Sequence, residues 1–490
     1  MKIFELVNKK NNYFFLTLIS IIFFILNLSV ILIYPAIAGD TKIIKIVAEN
    51  IYNNGCISLS NPLAKDCIPH WGSNQGPGYP ILLALSWTIL NNNLILIKIF
   101  QLLFHFVSIL YLIKQIKINY QIKRFSFYYI IFFLSPLTFG WHRFILTESL
   151  VFSLSIFLIA ILIPLFCKKN INITLLSIVI SVGFFIRYDF ILWLIPILIT
   201  YFYVFNLKKT IYDVSKLGII SLIIVSPYLI RNYVSNLNFI PPTQIGLQLK
   251  NDLNLNRETY YPENYVDWIK SWATTNYMYT NALYPIDKGN YNLIYIDPSA
   301  YYSEIEKNKV EKNLSLLHEY KNREFPKSID ENFKLILEEK INSFPFKIFF
   351  LNPSKKIFSL WFNPVTSLGF PNTFNNYNFK LGKVLNSSLN NQLKFFKGHF
   401  LSIFGKLLNF SYRALLISAF FYISFHILKR HYKSMRPLYL FTMSFFIFKT
   451  VFLSQTIFIE TRHIITPAIM IEIFLIIFIL QKKLFQPRPL

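Results

Sequence analysis

Apolar runs about as long as a bilayer is thick recur along this chain, and they constrain its fold more than any other feature. Crossing a hydrocarbon core of about 30 Å takes about 20 apolar residues in a helix. Ten runs of that character occur, at 13–34, 94–113, 125–139, 149–167, 171–186, 189–206, 215–230, 398–428, 437–458 and 464–481. The stretch 80–90 reads either as the start of the second run or as a separate re-entrant piece. Backbone groups in lipid are satisfied only by helices and closed barrels. The runs therefore predict an all-α integral membrane protein with about ten or more transmembrane helices. Charged residues make up 15% of the chain, against about a quarter in soluble domains.

The formal net charge of +25 would suit a polyanion groove in a soluble protein. Here the basic residues fall between the apolar runs. With the N-terminus inside, the inner connections hold Lys2, Lys9 and Lys10; Lys114, Lys117, Lys123 and Arg124; Lys168 and Lys169; Lys208, Lys209 and Lys216; Lys429, Arg430, Lys433 and Arg436; and Lys482, Lys483 and Arg488. The short outer connections hold the single arginines Arg143, Arg187 and Arg462. Such asymmetry is the positive-inside pattern, and it accounts for the basic excess without nucleic acid. It predicts a multi-pass protein of the cell membrane with both termini cytoplasmic. The first run is too long for a secretory signal, so it reads as the first span.

Three divisions follow. Residues 1–230 form an N-terminal transmembrane module with a first outer loop at 35–79, and residues 396–490 form C-terminal transmembrane helices. Between them, 231–395 reads as a mainly helical extracytoplasmic loop domain, in which Phe344 to Phe350 and Ile357 to Phe362 look like helices lying on the membrane surface. Cys56 and Cys67 in the first outer loop are either bonded on an oxidising face or free, and Cys167 stands alone; none forms a CxxC spacing. No phosphate loop, GxGxxG, HExxH or DxD occurs, which disfavours nucleotide-fuelled chemistry.

The residues that carry chemistry lie just outside the spans, all on the outer face of this topology: Asp40, Glu148, Arg187, Asp189, Arg231, Glu460, Arg462 and His463. Asp40, a few residues past the first span, is placed either to take a proton from a hydroxyl at the lipid boundary or to cap the helix from Thr41 to Asn50. Glu148 either caps the span that follows it or binds an acceptor or a metal. Arg187 reads as a partner for Asp189, or as part of a site. Arg462 suits a phosphate through its planar fork, unless it merely neutralises Glu460. His463 reads equally as a boundary residue.

The order of these motifs resembles that of the C superfamily of polytopic glycosyltransferases, which includes protein mannosyltransferases and lipid A aminoarabinose transferases. The matching segments are Gly39-Asp40, Gly76-Pro77-Gly78-Tyr79-Pro80, Thr147-Glu148, Arg187-Tyr188-Asp189, Pro227-Tyr228-Leu229-Ile230-Arg231-Asn232 and Glu460-Thr461-Arg462-His463. The resemblance implies a GT-C-like fold and transfer of a sugar from a polyprenyl-phosphate donor to a glycan, lipid or protein acceptor, with inversion. It implies Asp40 as the catalytic carboxylate, Glu148 in acceptor or metal positioning, and Arg231 and Arg462 on the donor phosphate, with Arg187, Glu460 and His463 in support. Glu49 and Asp66 are candidates for the second acidic residue that the family often carries. No cofactor is required, although a divalent metal is compatible with the pattern. The rival reading is a flippase or transporter of lipid-linked sugars with no transfer activity; transporters characteristically bury charges near mid-bilayer.

Overall fold

In the computed structural model, the described residues are 2–36, 39–63, 67–70, 76–90, 93–122, 128–235, 237, 262–287, 290–320, 325–363, 370, 388–429, 433–455 and 461–484. Among them the fold is all-helical, with a lone antiparallel bridge between Ser58 and Pro69 in place of any strand. Two compact units emerge: residues 1–237, 364–447 and 465–490 form the first, and residues 238–363 with 448–464 form the second.

The first unit holds helices α1 (Lys2–Ile33), α2 (Gly39–Asn54), α3 (Gly78–Leu90), α4 (Leu94–Tyr120), α5 (Tyr128–Phe133), α6 (Thr147–Phe166), α7 (Ile173–Ile186), α8 (Leu194–Val204) and α9 (Leu207–Val234). The second holds α10 (Glu263–Trp272), α11 (Asn276–Asp287), α12 (Glu304–Glu319), α13 (Lys327–Ser343) and α14 (Asn352–Phe362). The chain then contributes α15 (Leu389–Gly398), α16 (Phe400–Lys429), α17 (Arg436–Gln455) and α18 (Ile465–Leu484). Starts of three helices are set by asparagine: Asn93, Asn172 and Asn206 accept the first amides of α4, α7 and α9, groups that have no partner inside their own helix.

Seven helices among the described residues are long and apolar enough to cross a membrane: those at 14–33, 94–120, 147–166, 207–234, 400–428, 436–455 and 462–481. Three further apolar helices are shorter, at 78–89, 173–186 and 188–204. The ten runs of the sequence therefore do not become ten long helices. Among the described residues, the run at 125–139 yields the six-residue α5, which ends shortly before Pro136, a residue that disfavours helix in the position before it. The run at 189–206 opens with a 3₁₀ turn, Tyr188–Trp193, before α8 begins. Residues 80–90 form a helix of their own, α3, paired with α2.

Packing ranks helices that hydropathy does not distinguish. Helix α6 is buried along almost its whole length and packs against α4 above all, then α7, α8 and α18. Helix α9 instead exposes Ile219, Leu222, Ile223 and Ile230, as expected where lipid rather than protein is the solvent. Halfway along α16 and α18, Arg413 and Glu472 are buried, and the Tyr412 hydroxyl donates to the Glu472 carboxylate. The expectation that ionisable groups gather at the span ends is corrected here, since these two lie deep within their helices.

In the second unit, α10 presents Tyr265, Trp268, Ile269 and Trp272 to a core shared with Phe333 and Ile336 of α13. Asp330 of α13 accepts the backbone amides of Asn264 and Tyr265 at the start of α10. Inside this core the Lys340 ammonium meets Glu306 at 2.6 Å and the Ala300 carbonyl at 2.5 Å. Glu306 also accepts from the Trp268 indole and the Tyr302 amide. Phe346, Phe349, Phe350 and Phe358 are exposed along the π-helical turn Lys347–Leu351 and α14. Because removing one member strands a buried charge, Lys340→Met is expected to destabilise this unit by about 3–5 kcal/mol, with part of the loss recovered in Lys340→Met/Glu306→Gln. Denaturant unfolding of the full-length protein followed by tryptophan fluorescence checks both.

Burial, with nearby Lys270 adding to it, pushes the Lys356 ammonium down to about 8 from its ordinary 10.5. Burial also brings Lys340 to about 8, against the pull of Glu306. With the folded pKa below the unfolded one, the unfolded chain binds more protons between these values, so stability rises with pH across that window. The apparent unfolding temperature is therefore expected to climb from pH 8 to 10, and to climb less in Lys356→Met.

Candidate functional site

Five segments that are distant in sequence meet within the first unit. The first ends α1 and opens α2: Thr41, next to Asp40, donates its hydroxyl to the carbonyl of Ile145 at 3.2 Å, and Arg143 donates to the carbonyl of Tyr34. The second is the turn at Gly76, Pro77 and Gly78. A Cβ on Gly76 would lie 2.3 Å from the carbonyl oxygen of Phe185, and one on Gly78 would lie 2.8 Å from its carbonyl carbon. Both glycines are required by this close approach, and Gly76 also has φ +149°, a region that side chains avoid. Tyr79 follows, buried, with its hydroxyl against the Gln101 side chain and the Leu146 backbone.

The remaining segments carry the charges. Glu148, in the first turn of α6, is fully buried and lies 3.3 Å from Arg187. The same guanidinium forks onto both oxygens of Asp189, at 3.1 Å each. Tyr188 and Tyr228 share a hydrogen bond of 2.8 Å between their hydroxyls. The three residues that the sequence marked as Arg187-Tyr188-Asp189 thus tie α6, α7 and α9 together.

Asp40 occupies the first turn of α2 and is half-buried, whereas Glu148 is enclosed by its ion pair. Arg231 has partners on the first outer loop. Its guanidinium donates to the carbonyls of His70 and Ile57 at 2.6 and 2.9 Å and to the Asn232 side chain. In this position it clamps the first outer loop to the end of α9. Arg462 and His463 lie in the helical turn Thr461–Ile464 of the second unit, with His463 buried. Glu460 and Asp66 lie outside the described residues. No group of three or more metal-ligating side chains occurs among the described residues.

Several buried polar groups were not among the candidate site residues of the sequence. Arg143 is buried, donating also to the Phe370 carbonyl at 2.8 Å, and burial pushes its guanidinium down to about 10, so it stays charged at neutral pH. His142 pairs with Ser149 at 2.7 Å, and its ring is tilted 50° to that of His105, with centroids 4.7 Å apart; His105 meets Ser153. Burial, then the neighbouring His105, holds the His142 imidazole well below its ordinary range. No local motif marks these histidines; they meet because α4 packs against the 3₁₀ turn Trp141–Arg143 that precedes α6. Glu472 was detectable, as a carboxylate in the middle of an apolar run. Comparison with known family models, curated proteins and solved structures finds no match.

Removing the Arg187 guanidinium would take away the cation paired with the buried Glu148 carboxylate. Arg187→Met is expected to destabilise the first unit by about 3–5 kcal/mol, while Asp189→Asn, at a more exposed carboxylate, costs less. Thermal unfolding of the purified variants in detergent measures the difference.

Proposed function

We propose that the chain is a membrane glycosyltransferase that moves a sugar from a polyprenyl-phosphate donor to a glycan, lipid or protein acceptor on the extracytoplasmic face. The observation that carries this reading is the meeting of the segments around Asp40, Gly76–Tyr79, Glu148, Arg187–Asp189 and Tyr228–Arg231 within one unit. These are five of the six segments on which the resemblance to the C superfamily rests. Among the described residues, seven long apolar helices and three shorter ones support a helical membrane protein; the reading adds a GT-C-like arrangement from the resemblance and cytoplasmic termini from the distribution of lysine and arginine.

Asp40 is the base in this reading. Its carboxylate takes the proton of the acceptor hydroxyl while the hydroxyl oxygen bonds to the anomeric carbon. The bond from that carbon to the phosphate oxygen breaks on the opposite face, and the polyprenyl phosphate leaves with the electron pair, giving inversion. Support for Asp40 over Glu148 comes from their surroundings: Glu148 is buried in its pair with Arg187, while Asp40 is half-exposed at the head of α2. Glu148 and Arg187 then position the segments around the base. Arg231 holds the first outer loop, and Arg462 remains the guanidinium that the resemblance assigns to the donor phosphate. A lipid phosphate is a good leaving group, so neither a nucleotide fold nor a strong acid is needed.

A transport reading has one observation in its favour, the buried Glu472 and Arg413 halfway along their helices, because charges at such depth characteristically line ion or substrate paths. Mass spectrometry of surface glycans and lipid-linked sugars separates the two. Cells lacking the chain are expected to lose one sugar from a glycan and to accumulate its polyprenyl-phosphate donor. Asp40→Asn, at equal membrane abundance, is expected to transfer about 10²–10⁴-fold more slowly. Full rescue by Asp40→Asn would remove the base and favour transport.

A further inference from the structure

A cavity of about 530 Å³ opens on the flank of α2 away from Asp40, within the range of about 300–1,000 Å³ common for small-molecule sites. Glu49, on its wall, follows Asp40 by nine residues, which is two and a half helical turns and about 13 Å along the axis. The cavity therefore faces the other side of the helix from the proposed base. Its lining includes Lys45, Glu49, Tyr52 and Asn53 of α2, Asn61 of the first outer loop and Trp87 of α3.

Two features point to a ligand. Trp87 is buried, yet its indole N–H has no hydrogen-bond partner among the described residues, a state that native structures seldom leave uncorrected. Lys45 and Glu49 stand one turn apart on the wall but form no ion pair among the described residues, although that spacing favours one. The half-exposed Tyr52 ring meets Trp87 edge-on, at 6.1 Å and 86°, so the two aromatics make a corner.

The walls are held before any ligand arrives. Asn50 donates from α2 to the carbonyls of Ser58 and Ser60, and Asn54 donates to that of Pro62. The Cys56–Cys67 disulfide closes the loop, and Arg231 grips its base at Ile57 and His70. A rigid pocket binds with less loss of conformational entropy than one ordered by its ligand.

We propose that this cavity is a saccharide-binding site separate from the Asp40 centre. A sugar ring offers a face of C–H groups to aromatic side chains and a rim of hydroxyls that both donate and accept. Trp87 and Tyr52 supply the apolar surface; Glu49 accepts, Lys45 donates, and Asn53 and Asn61 can do either. The assignment does not depend on glycosyl transfer by Asp40, since it concerns binding alone.

The test uses the full-length protein in nanodiscs on an array of neutral and acidic oligosaccharides, with O-phosphoethanolamine as a competitor that mimics a zwitterionic lipid headgroup. The expected result is binding to a defined set of saccharides, weakened at least tenfold in Glu49→Gln and in Trp87→Leu and retained in Asp40→Asn. Glu49→Gln, at a partly exposed position, guards against misfolding of the Trp87 variant. Mild reduction of the disulfide is expected to weaken the same binding. Absence of saccharide binding would overturn the proposal, as would binding that survives both variants. Displacement by O-phosphoethanolamine with no saccharide specificity would also overturn it, reassigning the cavity to a lipid headgroup.

Discussion

The Arg187 guanidinium, forked between the fully buried Glu148 and the turn at Asp189, is the contact around which the first unit is arranged. A buried carboxylate costs several kcal/mol of desolvation unless a cation meets it with good geometry, and the pair must form wherever α6 is enclosed. Helix α6 is enclosed on nearly all sides, so the head of that helix, the end of α7 and the following 3₁₀ turn are fixed together. The glycine turn then lies against the backbone at Phe185, and the start of α2 reaches Ile145 through Thr41. Asp40 inherits its place from this chain of contacts.

Basic side chains divide between two tasks. One set falls in the connections between apolar runs and gives the sequence its positive-inside distribution. Others are drawn into the protein as donors: Arg231 to two loop carbonyls, Arg143 to the carbonyls of Tyr34 and Phe370, Lys340 to Glu306 and Ala300, and Lys356 to the Lys270 carbonyl. Loop backbone inside a folded unit needs such donors because its carbonyls have no ladder or helix to satisfy them. A single-chain reading cannot separate the two kinds of arginine, since both follow an apolar run in the same way. Arg231, which the resemblance assigns to a donor phosphate, also donates to the carbonyls of Ile57 and His70.

Hydropathy identified the helical membrane character, and asparagine caps with a proline stop explain where several helices begin and end. The motif segments were also legible, because Gly76, Gly78, Arg187 and Asp189 are residue types whose presence in apolar surroundings demands a backbone or electrostatic reason. What escaped were meetings between helices. His105 and His142 lie on separate segments with nothing local to connect them, and the Tyr412–Glu472 contact joins positions sixty residues apart. The pairing of Cys56 with Cys67 was open in the sequence because spacing alone does not bring sulfurs together; Asn50 and Arg231 do so by holding the loop against α2 and α9.

By itself the sequence determined that the chain is helical and apolar enough for a membrane, and which segments carry unusual charge, because chain-local hydrophobicity and charge dictate both. The tertiary structure alone decided that α6 is central and α9 peripheral, since a helix that is apolar all round is equally stable against lipid or against protein. It also decided that Glu148 is enclosed while Asp40 stays half-exposed, and that Trp87, Tyr52, Lys45 and Glu49 line one cavity. Those outcomes depend on which surfaces meet, a property of packing that no single segment encodes.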